Sequence, residues 1–322
     1  MKDIFWMGGK LATDVIERRS DLTQLDDGNF WAISISYEGD VVATSFRDVR
    51  DEEFPEASWS ELQGKWRSSQ TQAEYCSYVE NIRKAVEEGS VYQVNACRIL
   101  ELESEQPLEG LFSKILAQHG APYASFYRSR DLEIASASPE LFLKREGSKV
   151  VTSPIKGTRP LASDSFGSKD MSENIMIVDL MRNDLGQICS KISTPQLLRE
   201  EEHPGLVHLV SDVQGELLPH KKWAEILSPL LPPGSISGAP KRSAKRIIEE
   251  HESVRGPYCG VLGWVQGDQA LLSVAIRIFW RNEGFLKFGT GAGITWSSNP
   301  TQEWRETELK ASRLIPLAGG SL

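Results

Sequence analysis

Alternating apolar and polar residues, which are typical of strands, dominate the beginning of the chain. The segments 29–36 and 41–46 alternate in this way and flank the turn-forming tripeptide EGD at 38–40. This arrangement predicts a β-hairpin. The following stretch, 47–64, is charged and contains Pro55, so we expect a loop there.

Apolar residues at helical spacing, together with start and stop signals, predict the helices of the remaining chain. The predicted helices cover 71–89, 108–118, 172–185, 241–251 with Pro240 in its first turn, and 300–315. Strand-like runs cover 91–102, 123–127, 132–136, 141–144, 149–152, 258–266, 270–280 and 285–289. The last three runs follow one another across short turns, which predicts an antiparallel meander. The mixed order favours an α+β fold over a doubly wound parallel sheet. No linker or repeat marks a boundary, so we expect residues 1–322 to form a single α+β body.

Composition and charge narrow the class of protein. The chain has 322 residues, of which 40% are hydrophobic and 25% charged, and its net charge is −9. This acidity disfavours nucleic-acid binding, which requires a basic face. The chain has neither a signal-peptide pattern nor an apolar run of membrane-spanning length, so we expect a cytoplasmic protein with no membrane partner. The four cysteines are scattered, and we expect reduced thiols instead of disulfides or zinc ligands.

A lysine between two backbone-restricting residues is the first candidate for chemistry. Lys156 lies in SPIKGTRP at 153–160, between Pro154 and Gly157. We expect a short, stiff turn after a strand at 149–152. The lysine can bind an anion or, if its pKa is lowered, act as a nucleophile. A solvated turn lysine is the more common situation.

Four carboxylates occupy notable positions. Glu140 lies between two predicted strands, Glu173 begins a helix, and Glu303 and Glu306 share one face of the last helix. Three carboxylates from two helices could hold Mg²⁺. On spacing alone, favourable helix-dipole placement and a Glu306–Lys310 pair explain the helical glutamates better.

Two glycine-rich segments and two basic or titratable side chains could contact an anionic substrate. Residues 289–293 (GTGAG) offer closely spaced N–H groups, and 233–241 (PGSISGAPK) precedes a helix N-terminus. Arg277 interrupts an apolar strand and could clamp a carboxylate. His208, in an apolar context, is either a core residue or a proton donor. Each of these features also has an ordinary structural explanation.

In combination, these segments resemble the chorismate-binding enzyme family. The resemblance rests on YQVN at 92–95, SPE at 138–140, PIKGT at 154–158, the helix 173–185, HLVS at 208–211, PGSISGAPK at 233–241, AIR at 275–277, GAGI at 291–294 and the pair Glu303 and Glu306. It implies two facing, antiparallel-rich β-sheets with helices on the outside and the active site between them. It also implies a catalytic core at 71–322, preceded by a shortened strand-rich segment at 1–70.

Two positions distinguish branches of the family. Lys156 stands where anthranilate synthases usually have alanine and is similar to the lysine of aminodeoxychorismate synthase component I. Gln93 stands where isochorismate and salicylate synthases usually have a lysine that activates water. The resemblance therefore implies Mg²⁺-dependent amination of chorismate at C4, through a covalent lysine intermediate. The expected ammonia source is glutamine, through a glutamine amidotransferase subunit.

The same resemblance implies roles for individual residues. The expected catalytic residues are Lys156 as nucleophile, Glu140 as acid, and His208. The expected Mg²⁺ ligands are Glu173, Glu306 and, through water, Glu303. The expected substrate-binding residues are Arg277, Gly291, Ala292, Gly293, Thr158, Lys241, Ser237 and Gln93.

The chain departs from the family pattern in several places. The segment at 1–70 is short, so we expect the tryptophan pocket typical of that region to be incomplete. Leu161 replaces a frequent arginine, and the segment 162–169 is shorter than is common. The alternatives are anthranilate synthase component I, which Lys156 disfavours, and a non-catalytic chorismate-binding paralogue, which the retained Glu140, Lys156, Glu173 and Glu306 disfavour.

Overall fold

The computed structural model describes residues 2–130, 132–161, 165–203 and 206–322, without the side chains of Thr158, Pro160, Ser168, Lys169, His203 and Leu206. Its strands are β1 (Ile4–Met7), β2 (Lys10–Arg19), β3 (Phe30–Ile35), β4 (Val41–Asp51), β5 (Leu62–Lys65), β6 (Arg67–Ser68), β7 (Gln93–Glu103), β8 (Tyr123–Ser129), β9 (Leu132–Ser138), β10 (Leu141–Glu146), β11 (Lys149–Ser153), β12 (Ile155–Pro160), β13 (Cys189–His203), β14 (Leu206–Leu217), β15 (Gly238–Ala239), β16 (Val261–Gln266), β17 (Gln269–Val274), β18 (Ile278–Asn282), β19 (Phe285–Ile294) and β20 (Gly319–Ser321). The helices are α1 (Gln72–Glu87), α2 (Glu109–His119), α3 (Ser168–Leu185), α4 (Trp223–Leu227), α5 (Lys241–His251), α6 (Pro300–Ala311) and α7 (Ile315–Ala318). Short 3₁₀ turns cover Ser228–Leu230 and Gly234–Ile236.

Within the described residues, eighteen strands form one continuous antiparallel sheet, and β5 and β20 form a separate parallel pair. The sheet runs from β13 through β14, β11, β10, β17, β16, β3, β4, β2, β1, β8, β9, β18 and β19 to β7. It curls so that distant strands face each other. Tyr127 of β8, for example, donates a hydrogen bond to Thr44 Oγ1 of β4 at 2.8 Å. The predicted α+β fold is confirmed, with the two facing sheets joined into one.

The curled sheet encloses a core that would be exposed if the sheet were flat. Trp31, Tyr75 and Tyr127 are fully buried in the larger of two apolar clusters, which joins both faces of the sheet with α1, α3 and α5. The smaller cluster lies under α2 and α7 and contains Phe112 and Ile315. Burial of such large side chains is the main favourable term in folding.

Most predicted elements are present with small changes in their ends. The hairpin at 29–46 is β3 and β4, which pair directly through Ile35 and Val41. The helices predicted at 71–89, 108–118, 172–185 and 241–251 correspond to α1, α2, α3 and α5. The loop predicted at 47–64 is partly wrong, because β4 continues to Asp51 and β5 begins at Leu62. Pro240 is the N-cap of α5, one position before the first turn.

The meander predicted at 258–289 is partly wrong. Both expected antiparallel pairings are present, β16 with β17 and β18 with β19, but the expected strand 270–280 is broken at 275–277 into β17 and β18. Arg277 adopts a left-handed φ of 55°, which a regular strand does not allow. β18 then pairs with β9 and β19. Apolar alternation continues through the break, so the sequence pattern conceals it.

The N-terminus of α1 provides a test of helix stability. Thr71 Oγ1 accepts from the backbone N–H of Glu74 at 3.3 Å, and Glu74 Oε2 accepts from the Thr71 N–H at 2.8 Å. This capping box satisfies two N–H groups that the helix leaves without partners. We expect Thr71→Ala to lower the free energy of unfolding by about 1 kcal/mol in urea denaturation. Ser77→Ala, which removes an exposed hydroxyl inside the same helix, is the matched control and should change stability little. Equal losses in both variants would contradict the assignment.

Candidate active site

Lys156 is placed by an irregularity in β12. The strand pairs with β14, but the register shifts between Ile155 and Thr158, which identifies a β-bulge. Gly157 has a φ of 86° at this bulge. Bulges change the direction of side chains and are common beside active sites. The segment predicted as a short, stiff turn is therefore a bulged strand. The bulge directs the lysine toward buried groups.

Ser235 connects Lys156 with Glu140. Lys156 Nζ donates to the Ser235 carbonyl at 2.7 Å, and Ser235 Oγ donates to Glu140 Oε1 at 2.5 Å. Ser235 belongs to the 3₁₀ turn Gly234–Ile236, which precedes β15. Glu140 lies between β9 and β10, as predicted. One short turn thus contacts both residues that the sequence nominates as acid and nucleophile.

Burial changes the ionisation of both groups. Burial raises the pKa of Glu140 to about 7, against the opposing effects of the Ser235 hydroxyl, Lys156 and Arg277. Burial lowers the pKa of Lys156, against the opposing effects of Glu140 and Glu173. Both shifts favour the neutral forms, because transfer of a charge from water to the interior is unfavourable. Relative to the same groups in water, burial therefore favours the protonated acid and the unprotonated amine.

The glycine-rich segment 289–293 is part of β19, which continues past the strand end predicted at 289. Gly291 and Gly293 of β19 lie opposite Cys97 and Asn95 of β7. The N–H groups of those two β7 residues bond elsewhere, to Glu252 and Ser237 respectively, so they point away from β19. In an antiparallel pair, the opposite residues then also point away.

The outer edge of β19 is consequently open beside the site. β18 covers that edge as far as Phe288 and no further within the described residues. The N–H groups of Gly291 and Gly293 face this uncovered edge, where a bound anion could accept from them. Lys310 Nζ already donates to the Gly291 carbonyl at 2.8 Å. The N–H groups that the sequence nominated as anion donors can therefore serve that role from the edge of a strand.

Gly293 allows Gln93 to approach the β19 backbone closely. A Cβ atom added at Gly293 would lie 2.3 Å from Gln93 Nε2, which already occupies that space, and 3.8 Å from Lys156 Nζ. Gln93 is buried, and its Oε1 has no hydrogen-bond partner among the described residues. Buried polar atoms without partners are uncommon and frequently mark functional sites. The amide oxygen therefore suits a polar ligand.

Arg277 contributes a positive charge to the same region. Burial lowers its pKa to about 10, with Arg313 acting in the same direction and Glu140 opposing. The guanidinium therefore remains charged at neutral pH. Its left-handed backbone lies at the break between β17 and β18. Such strained conformations recur at binding sites, where surrounding structure maintains them.

Comparison with known proteins identifies the family to which this geometry belongs. The family model described as chorismate binding enzyme matches residues 36–316, which is most of the chain. The chain belongs to the chorismate-binding enzyme family. The family resemblance inferred from the sequence motifs is thereby confirmed.

Curated relatives fall into at least two activity classes. The chain is 31% identical over 308 residues to an aminodeoxychorismate synthase component 1 from Salmonella typhimurium, covering 88% of this chain and 68% of the relative. It is 34% identical over 250 residues to an anthranilate synthase component 1 from Saccharolobus solfataricus, covering 73% of this chain and 59% of the relative. The chain therefore spans roughly two thirds or less of the length of these relatives.

Solved structures share the fold at lower sequence identity. Anthranilate synthase component I from Streptococcus pneumoniae superposes with a TM-score of 0.81 at 22% identity, covering 98% of this chain and 90% of that structure. The menaquinone-specific isochorismate synthase from Escherichia coli superposes with a TM-score of 0.82 at 18% identity, covering 98% and 88%. Among the helices of the described residues, none is both long and apolar enough to cross a membrane.

Two of the three predicted metal ligands lie near Lys156. Glu173 of α3 and Glu306 of α6 both affect the pKa of Lys156, so both lie within electrostatic range of its amine. Glu303, also on α6, is buried. The described residues contain no group of three acidic, histidine or cysteine side chains arranged to hold a metal. Two carboxylates nevertheless suit Mg²⁺, which commonly binds through one or two carboxylates and retains waters.

Two other predicted site residues, Lys241 and Ser237, make their hydrogen bonds and ion pairs elsewhere. Lys241 Nζ pairs with Asp184 Oδ2 at 2.6 Å and donates to the Leu230 carbonyl at 3.0 Å. In the described structure, none of its hydrogen bonds or ion pairs involves another predicted site residue. Ser237 Oγ donates to the Pro233 carbonyl at 2.7 Å, within its own loop.

The remaining predictions concern β19 and the β12–β14 pair. Ala292 is buried in β19 between the two glycines. His208 is buried on β14, where its backbone pairs with that of Thr158 on β12. The side chain of Thr158 lies outside the described residues, so its predicted substrate contact stays a prediction.

The sequence did not identify two residues that organise the site. Ser235 joins the acid and the lysine, although its neighbour Ser237 was the predicted hydroxyl. Asn174 of α3 accepts from Ser211 Oγ at 2.5 Å and donates to the Leu209 carbonyl at 3.0 Å, which fixes α3 on β14. A small polar residue next to a candidate ligand, as Asn174 is to Glu173, is the signal that could have revealed it.

The raised pKa of Glu140 predicts how its ionisation affects stability. The folded protein holds this proton more tightly than the unfolded chain, whose glutamate has the usual value of 4.5. The stabilising contribution of the proton is complete below pH 4.5 and is lost as pH rises to about 7. Glu140→Gln keeps a neutral side chain at every pH. Relative to Glu140→Gln, we expect the wild type to lose up to about 3 kcal/mol of stability between these limits.

The measurement is urea unfolding of both proteins across this pH range. Glu146→Gln, which changes an exposed glutamate at the end of β10, is the control and should show no such trend. A constant difference between the wild type and Glu140→Gln across the range would contradict the raised pKa.

Proposed function

We propose that the protein aminates chorismate at C4 and forms 4-amino-4-deoxychorismate. The observation that supports this reaction best is the half-buried Lys156, whose Nζ is 2.7 Å from the Ser235 carbonyl, next to the acid Glu140. A lysine with a lowered pKa is a nucleophile as well as a binding group. The related aminodeoxychorismate synthase from Salmonella typhimurium adds support at the level of the family.

Binding of the substrate uses its negative charges. The guanidinium of Arg277 and the outward N–H groups of Gly291 and Gly293 are suited to a carboxylate. Gln93 offers a buried amide oxygen to a hydroxyl or amine donor. In the proposal, these groups orient the ring beside Lys156. Gln93 and Gly291 are buried and Arg277 and Gly293 are half-buried, so their interactions with an anion are stronger than they would be in water.

Glu140 acts as the general acid in the proposed reaction. Its raised pKa keeps a large fraction protonated near pH 7. It transfers that proton to the C4 hydroxyl, which leaves as water when the ring double bonds shift. Ser235 holds the carboxyl in place during the transfer. General acids of this kind contribute roughly 10²- to 10⁴-fold to a rate.

Lys156 acts as the nucleophile in the proposed reaction. Its neutral amine bonds to C2 as the C4 hydroxyl leaves, and the amine loses a proton. Ammonia then attacks C4, the double bonds shift back, and the C2–nitrogen bond breaks with return of a proton to the lysine. The sum is chorismate plus ammonia giving 4-amino-4-deoxychorismate plus water.

A divalent ion fits the proposal as an electrostatic partner. Mg²⁺ bound by Glu173 and Glu306 would neutralise a substrate carboxylate when present. Glu306 currently pairs with Lys310 Nζ at 2.7 Å, so that ion pair would rearrange. Glu303 remains a water-mediated ligand in this proposal. A glutamine amidotransferase subunit as ammonia donor is part of the same proposal, consistent with relatives named component 1.

A second candidate function is anthranilate synthesis. Relatives named anthranilate synthase component 1 match the chain at similar identity, for example the one from Saccharolobus solfataricus. That reaction also releases pyruvate. Lys156 disfavours it, because a covalent lysine at C2 blocks the position that an anthranilate synthase must aminate. Product analysis separates the two.

The decisive assay uses chorismate, Mg²⁺ and ammonium, with products identified by mass. We expect 4-amino-4-deoxychorismate from the wild type and at least a 100-fold lower rate from Lys156→Ala, since the nucleophile is gone. Lys144→Ala, on an exposed strand end, is the control and should retain full rate. Anthranilate with pyruvate would support the second candidate, unchanged chorismate a binding protein, and full turnover by Lys156→Ala would exclude the covalent step.

The rate should depend on pH in a bell shape. Loss of the Glu140 proton lowers kcat/KM as pH rises above about 7, and protonation of Lys156 lowers it on the acid side. Glu140→Gln should be about 100-fold slower and should lack the alkaline decline. An alkaline decline that persists in Glu140→Gln would assign it to another group.

A further inference from the structure

Two buried cysteines lie behind the substrate-binding edge of the site. Cys97 of β7 and Cys259, just before β16, are almost completely buried, and their sulfur atoms are 4.0 Å apart. They are separated by 162 positions in the sequence, so the fold alone brings them together. Cys76 and Cys189 are also reduced in the structure.

We propose that Cys97 and Cys259 form a site of reversible oxidation, at which a peroxide converts the two thiols to a disulfide and thereby changes substrate binding. The sulfur atoms need to approach to about 2.05 Å, which small side-chain rotations of two neighbouring cysteines can provide. The disulfide itself goes beyond the proposed function, whereas its effect on chorismate turnover rests on that function.

The environment of Cys259 is unlike that of an inert core cysteine. Its φ of 64° is left-handed, a conformation that non-glycine residues adopt rarely and that recurs at functional positions. The surroundings include the buried Arg255 guanidinium, held by Glu252 Oε1 at 2.8 Å and Oε2 at 2.7 Å. Burial alone would raise the pKa of Cys259, but the hydrogen bond from Cys97 and the charge of Arg255 lower it. Burial raises the pKa of Cys97. In the proposed reaction, Cys259 is the attacking thiolate and Cys97 the resolving thiol.

A cavity is lined by residues that lie two positions from each cysteine. It has a volume of about 740 Å³, and Ile99, Arg255 and Pro257 contribute to its lining. Ile99 is two positions from Cys97 on β7, and Pro257 is two positions from Cys259. Peroxide needs far less space than this cavity provides. The pair thus lies just behind the wall of a space that is separate from Lys156 and Glu140, neither of which lines it.

The oxidation balances with hydrogen peroxide as the oxidant. The Cys259 thiolate attacks one peroxide oxygen, the O–O bond breaks, and a sulfenic acid forms with release of the first water after protonation. Cys97 sulfur then attacks the sulfenic sulfur, and the S–O bond breaks to release the second water, which takes the Cys97 proton. Two thiols and one peroxide yield one disulfide and two waters. A dithiol reductant reverses the reaction.

Both cysteines are connected to groups that are proposed to hold the substrate. A Cβ at Gly291 would lie 2.6 Å from Cys97 Sγ, so this sulfur packs directly against Gly291 of β19. The Cys259 N–H donates to the Ala275 carbonyl at 2.8 Å, and Ala275 N–H donates to the Gly260 carbonyl at 2.8 Å. Those two hydrogen bonds hold the chain at the break between β17 and β18, where Arg277 lies. Movement of the sulfur atoms therefore shifts both anion-binding elements.

The first experiment detects the disulfide directly and needs no activity. The full chain is treated with hydrogen peroxide, denatured, alkylated with iodoacetamide and analysed without reduction. We expect a species about 2 Da lighter before alkylation, with Cys97 and Cys259 peptides linked and with Cys76 and Cys189 alkylated. Dithiothreitol should restore four alkylated cysteines.

Variants test whether the pairing depends on these two positions. Cys97→Ala should leave Cys259 as a sulfenic acid that dimedone traps, and Cys189→Ser should form the disulfide as the wild type does. The more exposed Cys76 serves as an internal competitor. Complete alkylation of Cys97 and Cys259 after peroxide treatment, or oxidation at Cys76 with that pair still reduced, would overturn the proposal.

The second experiment measures the consequence for the site. In wild-type protein, we expect oxidation to raise the KM for chorismate at least fivefold, with recovery after dithiothreitol. The ratio of KM in oxidised and untreated protein should be one in Cys97→Ala. A linked pair with unchanged KM would remove the coupling to the site while keeping the modification. A protein with no turnover before oxidation would refute the proposed function without bearing on the disulfide.

Discussion

A carboxyl group and an amine that lie together in the interior impose the main constraint on this protein. Glu140 is buried and Lys156 half-buried, and each contacts Ser235. In the interior, either charge alone is unfavourable, so burial shifts both toward neutrality. The hydrogen bonds to the 3₁₀ turn offset part of this cost, because they give both side chains a partner. The shifted ionisation of the two groups is therefore a consequence of how the fold excludes water.

The curled sheet is what makes that exclusion possible. Lys156 on β12 and Gly293 on β19 are separated by many strands along the sheet, yet a Cβ at Gly293 would contact the region of Lys156 Nζ. A flat sheet would leave them far apart and both in water. Three backbone irregularities then direct side chains into the enclosed space: the bulge at Gly157 and the left-handed residues Arg277 and Cys259. Each costs some conformational energy, and the surrounding hydrogen bonds maintain it.

Local sequence patterns predicted the elements well where neighbours in sequence determine the structure. The hairpin around EGD at 38–40 and the helix predicted from Thr71 are examples, because turn and cap residues act within a few positions. The patterns failed at 270–280 and 289–293. In the first case apolar alternation hid a break, and in the second the strand predicted to end at 289 continues to Ile294. Both the break and the longer strand depend on pairing with strands that are distant in the sequence.

The sequence by itself determined the family, the α+β class and the chemical types of the candidate residues, since these follow from motifs and their order. Tertiary structure decided which of them meet. It connected Lys156 to Glu140 through Ser235. It also paired Lys241 with Asp184 and placed Cys97 beside Cys259. Long-range contacts of this kind, together with desolvation, set the pKa values on which the proposed chemistry depends. Neither can be obtained from residue spacing, because both are properties of the closed, water-excluding interior.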